Sequence, residues 1–264
     1  MRQGTGRQVP NFIIAGAPRC GTTWLYEILS AHPQIYMAKP RQPEPKFFLK
    51  DDLYARGFDW YMQKYFAQAD SGKYVMGEKT TNYLEGGNKV AQRISRHLPE
   101  VKLIFVFRNP IDRAYSNYRW SKMNGFETLS FKEAVETEEN RIRNLSPELQ
   151  HIQPYSYLSR SVYAQHLKAF TDCFPKDRLC FVKYEDMISG PRPVLNKLCG
   201  YIGVEPFKNT ITDHNYPNQS QKEDSGLSPE LRRSLASYFE PFNKKLEQMT
   251  GENFEIWKES PDQS

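Results

Sequence analysis

The run FIIAGA, Phe12 to Ala17, passes without interruption into PRCGTTW and then into WLYEILSAH. Trp24, Leu25, Ile28 and Leu29 recur at helical spacing, so the segment reads as strand, glycine turn, helix. A glycine turn before a helix N-terminus brings backbone N–H groups together at one point, and that point favours an anion. The unit therefore constrains the chain to an α/β fold with a ligand beyond the strand ends. Gly16 and Gly21 have the spacing of a Walker A loop. Thr22-Thr23 stands where a Lys-Ser/Thr pair would follow, so the lysine that reaches the β- and γ-phosphates is missing. The cation instead precedes the second glycine, as Arg19.

Further along, YVMGEK after Gly72, VKLIFVF from Val101 and LCFVKY from Leu179 read as strands. VKLIFVF is apolar almost throughout, as expected of a strand covered on both faces. Helices are expected in NKVAQRISRHL from Asn88, in RNPIDRAYSNYRWSKM opening on Pro110, and in FKEAVETEENRIR from Phe131. SVYAQHLKAFTDCF from Ser161, VLNKLCGYIG closed by Gly203, and SPELRRSLASYFEPFNKKLEQM with a break near Pro241 complete the set. The alternation implies a single α/β domain over residues 10–258, a mainly parallel sheet flanked by helices, with 1–9 and 259–264 as flexible tails. MAKPRQPEPKFFLKDD from Met37 carries three prolines and reads as irregular. Long irregular segments beside a core strand are often functional.

Composition narrows the function classes. The 264 residues include 36 Lys and Arg against 31 Asp and Glu, a net charge of +5 with no basic tract, which argues against nucleic-acid binding. The longest apolar runs fall far short of the roughly 18 residues of a membrane span. The first ten residues lack a signal-peptide core, so the chain reads as cytoplasmic unless an anchoring segment precedes it. Cys20, Cys173, Cys180 and Cys199 form no C-x-x-C pair and no Cys/His cluster, so free thiols and no metal site are expected. Aromatic residues make up 14% and crowd LYARGFDWYMQKYF from Leu53, as buried anchors or as the lining of a site.

The ordered set of strand, P-R-x-G-T-T-W and helix resembles the sulfotransferases that use 3'-phosphoadenosine 5'-phosphosulfate (PAPS), whose 5'-phosphosulfate loop usually reads P-K-x-G-T-T-W. The resemblance implies a P-loop-like sulfotransferase fold, with Arg19, Cys20, Gly21, Thr22 and Thr23 around the 5'-phosphosulfate. It also implies that Trp24 stacks on adenine; a helix-face core role is the alternative. Arg19 would grip the 5'-phosphate and the bridging oxygen, although it yields a proton less readily than lysine. In RNPIDRAYS, Arg108 leaves a strand end and Ser116 follows eight residues on. In the family this pair is the 3'-phosphate site, where a forked guanidinium and a hydroxyl share one phosphate. The helix SRSVYAQHLKAF resembles the family's R-G-x-Y element, which implies Ser161 and Tyr163 near the nucleotide or the acceptor, with Tyr163 taken as nucleotide-binding. PAPS as donor, PAP as product and no metal follow from the resemblance.

EPKFF and GEKTTNY match the glycan-modifying branch, which includes the heparan sulfate N- and O-sulfotransferases. By that match Glu44 is the base, Lys79 approaches the transferring group and Phe47-Phe48 wedge the loop into the core, while Lys46 keeps the Glu44 carboxylate ionised or binds a sulfuryl oxygen. Glu78 is a rival base, or as a strand-end residue pairs with Lys79 or Arg19. No histidine stands in the context of the cytosolic small-molecule enzymes. Lys222 is a poor substitute for the family's K-G-[RK] loop. The expected function is sulfuryl transfer to a hydroxyl or amine of a small-molecule or glycan acceptor. A P-loop nucleotide kinase and a noncatalytic nucleotide-binding protein are the alternatives.

Overall fold

The computed structural model describes residues 8–69, 72–150, 152–208 and 227–257. Strand β1 (Phe12–Gly16) leads through the glycine turn into α1 (Thr22–Ser30), followed by β2 (Ile35–Met37), α2 (Asp51–Tyr54) and α3 (Phe58–Phe66). Next come β3 (Val75–Lys79), α4 (Gly87–His97), β4 (Lys102–Phe107) and α5 (Pro110–Met123). After α6 (Phe131–Glu136), α7 (Glu138–Arg143) and α8 (Tyr163–Cys173) lie β5 (Leu179–Lys183), α9 (Tyr184–Ser189), α10 (Pro191–Ile202) and α11 (Pro229–Thr250). The chain divides into two compact units, Met1–Phe107 with His166–His214, and Arg108–Gln165 with Asn215–Ser264.

The first unit holds a five-stranded sheet in the order β2-β3-β1-β4-β5, with every pairing parallel. Ile14 of the central strand pairs with Lys79 on one side and Ile104 on the other. β1 is buried at every position and β4 at all but its first, which is why both read as unbroken apolar runs. Strand order reverses at β1, and the crevice at such a reversal is where parallel sheets take their ligands. The sheet packs closely enough that a Cβ on Gly77 would fall 2.1 Å from the ring of Phe12. Gln8, inside the expected N-terminal tail, is tied to the chain through Gly72 N–H and the Tyr74 carbonyl.

Phe47 and Phe48 are fully buried, as their expected wedge role requires. Phe47 stacks on Tyr61 at 4.6 Å between centroids, and Phe48 meets Tyr61 and Tyr83. The aromatic stretch from Leu53 thus supplies α2, α3 and anchors for this cluster. β2 is a three-residue edge strand in a stretch too short to show periodicity.

The second unit has its own core, in which Ile111, Tyr118, Phe131, Tyr157 and Phe239 are all buried. Asn109 caps α5 by accepting from Ile111 N–H, and Pro110 fills the first helical turn as expected. Two helices differ from the sequence expectation. FKEAVETEENRIR breaks at Thr137, whose hydroxyl bonds back to the Glu133 carbonyl. Restarting as α7 lets the buried Glu138 carboxylate accept N–H groups of Tyr157, Leu158 and Ser159 at 2.6–3.0 Å. In contrast, α11 runs straight through Pro241. Phe239 and Leu246, buried on either side, hold the helix to the core despite the lost hydrogen bond.

Gly77→Ala should destabilise the protein by about 1–3 kcal/mol or more in chemical denaturation, because Phe12 has nowhere to go. Gly200→Ala, in α10 with open space around the new methyl, should be neutral or stabilising by roughly 0.5–1 kcal/mol.

Candidate active site

Ala17 N–H donates to the Val106 carbonyl at 2.9 Å, tying the start of the glycine turn to the end of β4. Arg19 (φ 67°) and Gly21 (φ 77°) both adopt left-handed backbone. At Gly21 a side chain is excluded twice over, since a Cβ would also come within 2.9 Å of the Tyr184 ring. α1 starts with no side-chain cap and no acidic residue in its first turn. Its first N–H groups and positive dipole end are therefore left for an external anion. Arg19 and Trp24 are half-buried, Cys20 and Thr22 are buried, and Thr23 is exposed. Leu25, Ile28 and Leu29 supply the core contacts of α1.

Lys79, the last residue of β3, has a side chain only 1% exposed. Its Nζ lies 2.7 Å from Glu44 Oε1 and donates to Thr23 Oγ1 at 3.4 Å. One ammonium thus links the loop that carries the expected base to the first turn of α1. The second oxygen of Glu44 accepts from Thr81 N–H at 3.1 Å and from the Thr81 hydroxyl at 3.2 Å. Glu44 is consequently fixed by three donors, with 9% of its side chain still exposed.

Glu78, the rival base, is wholly buried and points elsewhere. Its carboxylate accepts from the hydroxyls of Tyr61, Thr80 (2.7 Å) and Tyr83. Burial pushes its pKa up to about 7, opposed by those hydrogen bonds and reinforced by the nearby charge of Glu44. Glu44, with 9% of its side chain exposed, is the more accessible of the two carboxylates. Lys46 sits half-buried at φ 50°, and its backbone N–H donates to Thr80 Oγ1.

In the second unit, Arg108 is half-buried and its carbonyl accepts from the Tyr163 hydroxyl at 3.0 Å. Ser116 lies on α5, 6% exposed. Ser161 is engaged by Arg113, whose Nε donates to its hydroxyl at 2.6 Å. Arg113 also donates to the Ser156 carbonyl at 3.2 Å and to that of Tyr157, so it braces the chain ahead of Tyr163.

Comparison with known proteins now decides the family, because the model for the sulfotransferase domain matches residues 9–249. The chain belongs to the sulfotransferase domain family. It is 32% identical, over 94% of its length and 65% of the relative's, to mouse heparan sulfate glucosamine 3-O-sulfotransferase 3B1. The chain therefore spans about two thirds of the length of that relative. Among solved structures, the sulfotransferase from Alicyclobacillus acidocaldarius superposes with a TM-score of 0.78 at 28% identity, covering 96% of this chain and all of that one. Mouse sulfotransferase SULT7A1, complexed with PAP, shares the fold at a TM-score of 0.53 and 16% identity, over 94% and 86% of the two chains.

Of the motif residues in the first unit, Thr23, Lys79 and Glu44 are joined by direct contacts. The supporting hydroxyls of Thr80, Thr81, Tyr61 and Tyr83 went unread, although TTNY following EK places three of them in sequence. A cavity of about 580 Å³ in the same unit is lined by Tyr26, Lys39, Arg41, Lys64 and Tyr65, among others. Tyr26 donates to the Ala38 carbonyl and Tyr65 to that of Pro45, so the cavity wall is anchored on both sides of the Glu44 segment. Lys222 lies outside the described residues.

Glu78 makes stability pH-dependent in a known direction. Between about 4.5 and 7 the folded state holds a proton that the unfolded chain releases, so this group's contribution falls as pH rises. The stability difference between the native protein and Glu78→Gln should move by about 3 kcal/mol against the native protein from pH 4 to pH 8, read by denaturation at each pH.

Proposed function

We propose that this sulfotransferase transfers a sulfuryl group from PAPS to a carbohydrate hydroxyl, with Glu44 as general base. The single observation that carries the reading is the Lys79 ammonium set between Glu44 and the first turn of α1. In this reading the 5'-phosphosulfate lies against the uncapped N-terminus of α1 and Arg19, which also contacts the bridging oxygen. Trp24, a half-buried residue of α1, lies against adenine. Arg108 and Ser116 take the 3'-phosphate, with Tyr163 holding the Arg108 backbone in place.

Glu44 accepts the acceptor's proton as its oxygen forms the new bond to sulfur, and the sulfur–oxygen bond to the nucleotide breaks in line. Lys79, with Lys46 beside the loop, faces the charge on the sulfuryl oxygens. The charge that builds on the leaving phosphate falls on Arg19 and on backbone N–H groups already in place, which is where electrostatic catalysis has most effect. No step requires a metal. Among the described residues no group of three His, Cys, Asp or Glu side chains is placed to hold one.

The acceptor is assigned from two supports. The relative's name specifies a glucosamine hydroxyl of heparan sulfate. The 580 Å³ cavity offers three cations against the single carboxylate of Glu27, which Arg41 meets at 2.6 Å. An anionic sugar next to the reacting unit suits both.

Glu44→Gln preserves shape and removes the base, so turnover with a glycan acceptor should fall roughly 10²- to 10⁴-fold while PAP binding by calorimetry stays unchanged. Normal turnover would remove Glu44 from the mechanism. Arg108→Ala should lose about 10- to 150-fold in affinity for PAP and most of the preference over AMP, the cost of one charge-assisted hydrogen bond. Arg19→Ala should depress kcat at saturating donor, and Arg19→Lys should recover much of it. A change confined to KM would contradict its role at the bridging oxygen.

A further inference from the structure

A buried carboxylate next to the Glu44 loop lies outside this mechanism. Glu78 is 0% exposed, and three hydroxyls converge on it, from Tyr61 on α3, from Thr80 just after β3, and from Tyr83 in the turn that follows. Two of those hydroxyl oxygens have a second task. Thr80 Oγ1 accepts the backbone N–H of Lys46 at 3.2 Å, and the Tyr83 hydroxyl accepts that of Phe48 at 3.3 Å. Lys46 and Phe48 lie two and four residues beyond Glu44. Each chain of bonds therefore runs one way, from loop amide to hydroxyl to carboxylate.

We propose that Glu78 is a positioning residue, the common acceptor that orients the Thr80 and Tyr83 hydroxyls and through them holds the Glu44 loop in its reacting register. The inference rests on Glu44 as the base. The physical reason is hydrogen-bond polarity. A hydroxyl carries one proton, so a Thr80 or Tyr83 that donates to Glu78 presents its oxygen lone pairs to the loop amide. An acceptor at position 78 that can take all three hydroxyl protons keeps both chains aligned. A proton on the carboxylate, or an amide NH₂ in its place, forces one of the three hydroxyls to turn, and where that is Thr80 or Tyr83 the loop amide it serves loses its partner.

The groups facing Glu78 are Tyr61 and Tyr65 from α3, Thr80 and Tyr83 from the segment after β3, and Glu44 from the loop. Each tyrosine here is pushed above its ordinary range, first of all by burial, so all three stay protonated and donating in the working range. Glu78, raised to about 7 by burial, changes charge between pH 6 and 8. Its ionisation aligns the network, so turnover rises with pH through that window.

The test measures kcat, KM and PAP affinity of the full chain from pH 5.5 to 8.5 with PAPS and a heparan sulfate oligosaccharide. Glu78→Gln should lower kcat roughly 10- to 100-fold, leave both KM values and PAP affinity within about twofold, and abolish the rise near pH 7. Thr80→Ala should reproduce the loss of kcat and Thr80→Ser should restore it. Where Glu78→Gln does not fold, the Thr80 pair decides. A Glu78→Gln or Thr80→Ala protein that keeps both the native kcat and the pH profile overturns the proposal. If Glu44→Gln is inactive while Glu78→Gln is normal, the base assignment stands and this inference falls. If Glu44→Gln is itself fully active, the base reading fails and the inference with it.

Discussion

A lysine ammonium sealed at the end of β3 is the interaction on which the rest of the site depends. Lys79 is only 1% exposed, and burying such a charge is costly unless partners replace its water. Glu44 and Thr23 are those partners, and they come from segments far apart in the chain. Because the ammonium needs both, the Pro-rich loop must return to the sheet edge where α1 begins. Removing one member of a buried pair leaves the other charge stranded, so the pair also fixes the loop that would otherwise be an exposed tether.

Two glutamates that stand close in space are set apart by their surroundings. Glu44 is met by a cation, a backbone N–H and a hydroxyl, and keeps a sliver of exposure. Glu78 receives only neutral hydroxyls in a closed aromatic setting, which raises its pKa to about 7. Paired carboxylates in unlike environments are a recurrent way to divide labour in an active site. In the proposed mechanism the division is between a carboxylate that meets the acceptor and one that acts through other groups.

Local signals made much of this legible. The β1–α1 turn, the buried strand VKLIFVF, Pro110 at the start of α5 and the Phe47-Phe48 anchor are each specified by neighbouring residues, and all four stand where the sequence puts them. Glu44 and Lys79 are each marked by a motif, but the ion pair between them joins residues 35 positions apart and is visible only in the fold. The hydroxyl network needed knowledge of which side chains face inward beyond β3, where the strand's alternation ends. Thr137 and Pro241 misled in opposite directions for one reason. Tertiary contacts of Glu138 and Phe239 outweighed the local preference in each case.

The most direct measurement is a crystal structure of the protein with PAP and a heparan sulfate oligosaccharide bound together. The account predicts the reacting hydroxyl about 2.6–3.2 Å from a Glu44 carboxylate oxygen, with Lys79 Nζ turned toward the space between that hydroxyl and the 5'-phosphate. An acceptor hydroxyl seated against any other base, with Glu44 still closed on Lys79 and Thr81, would contradict it.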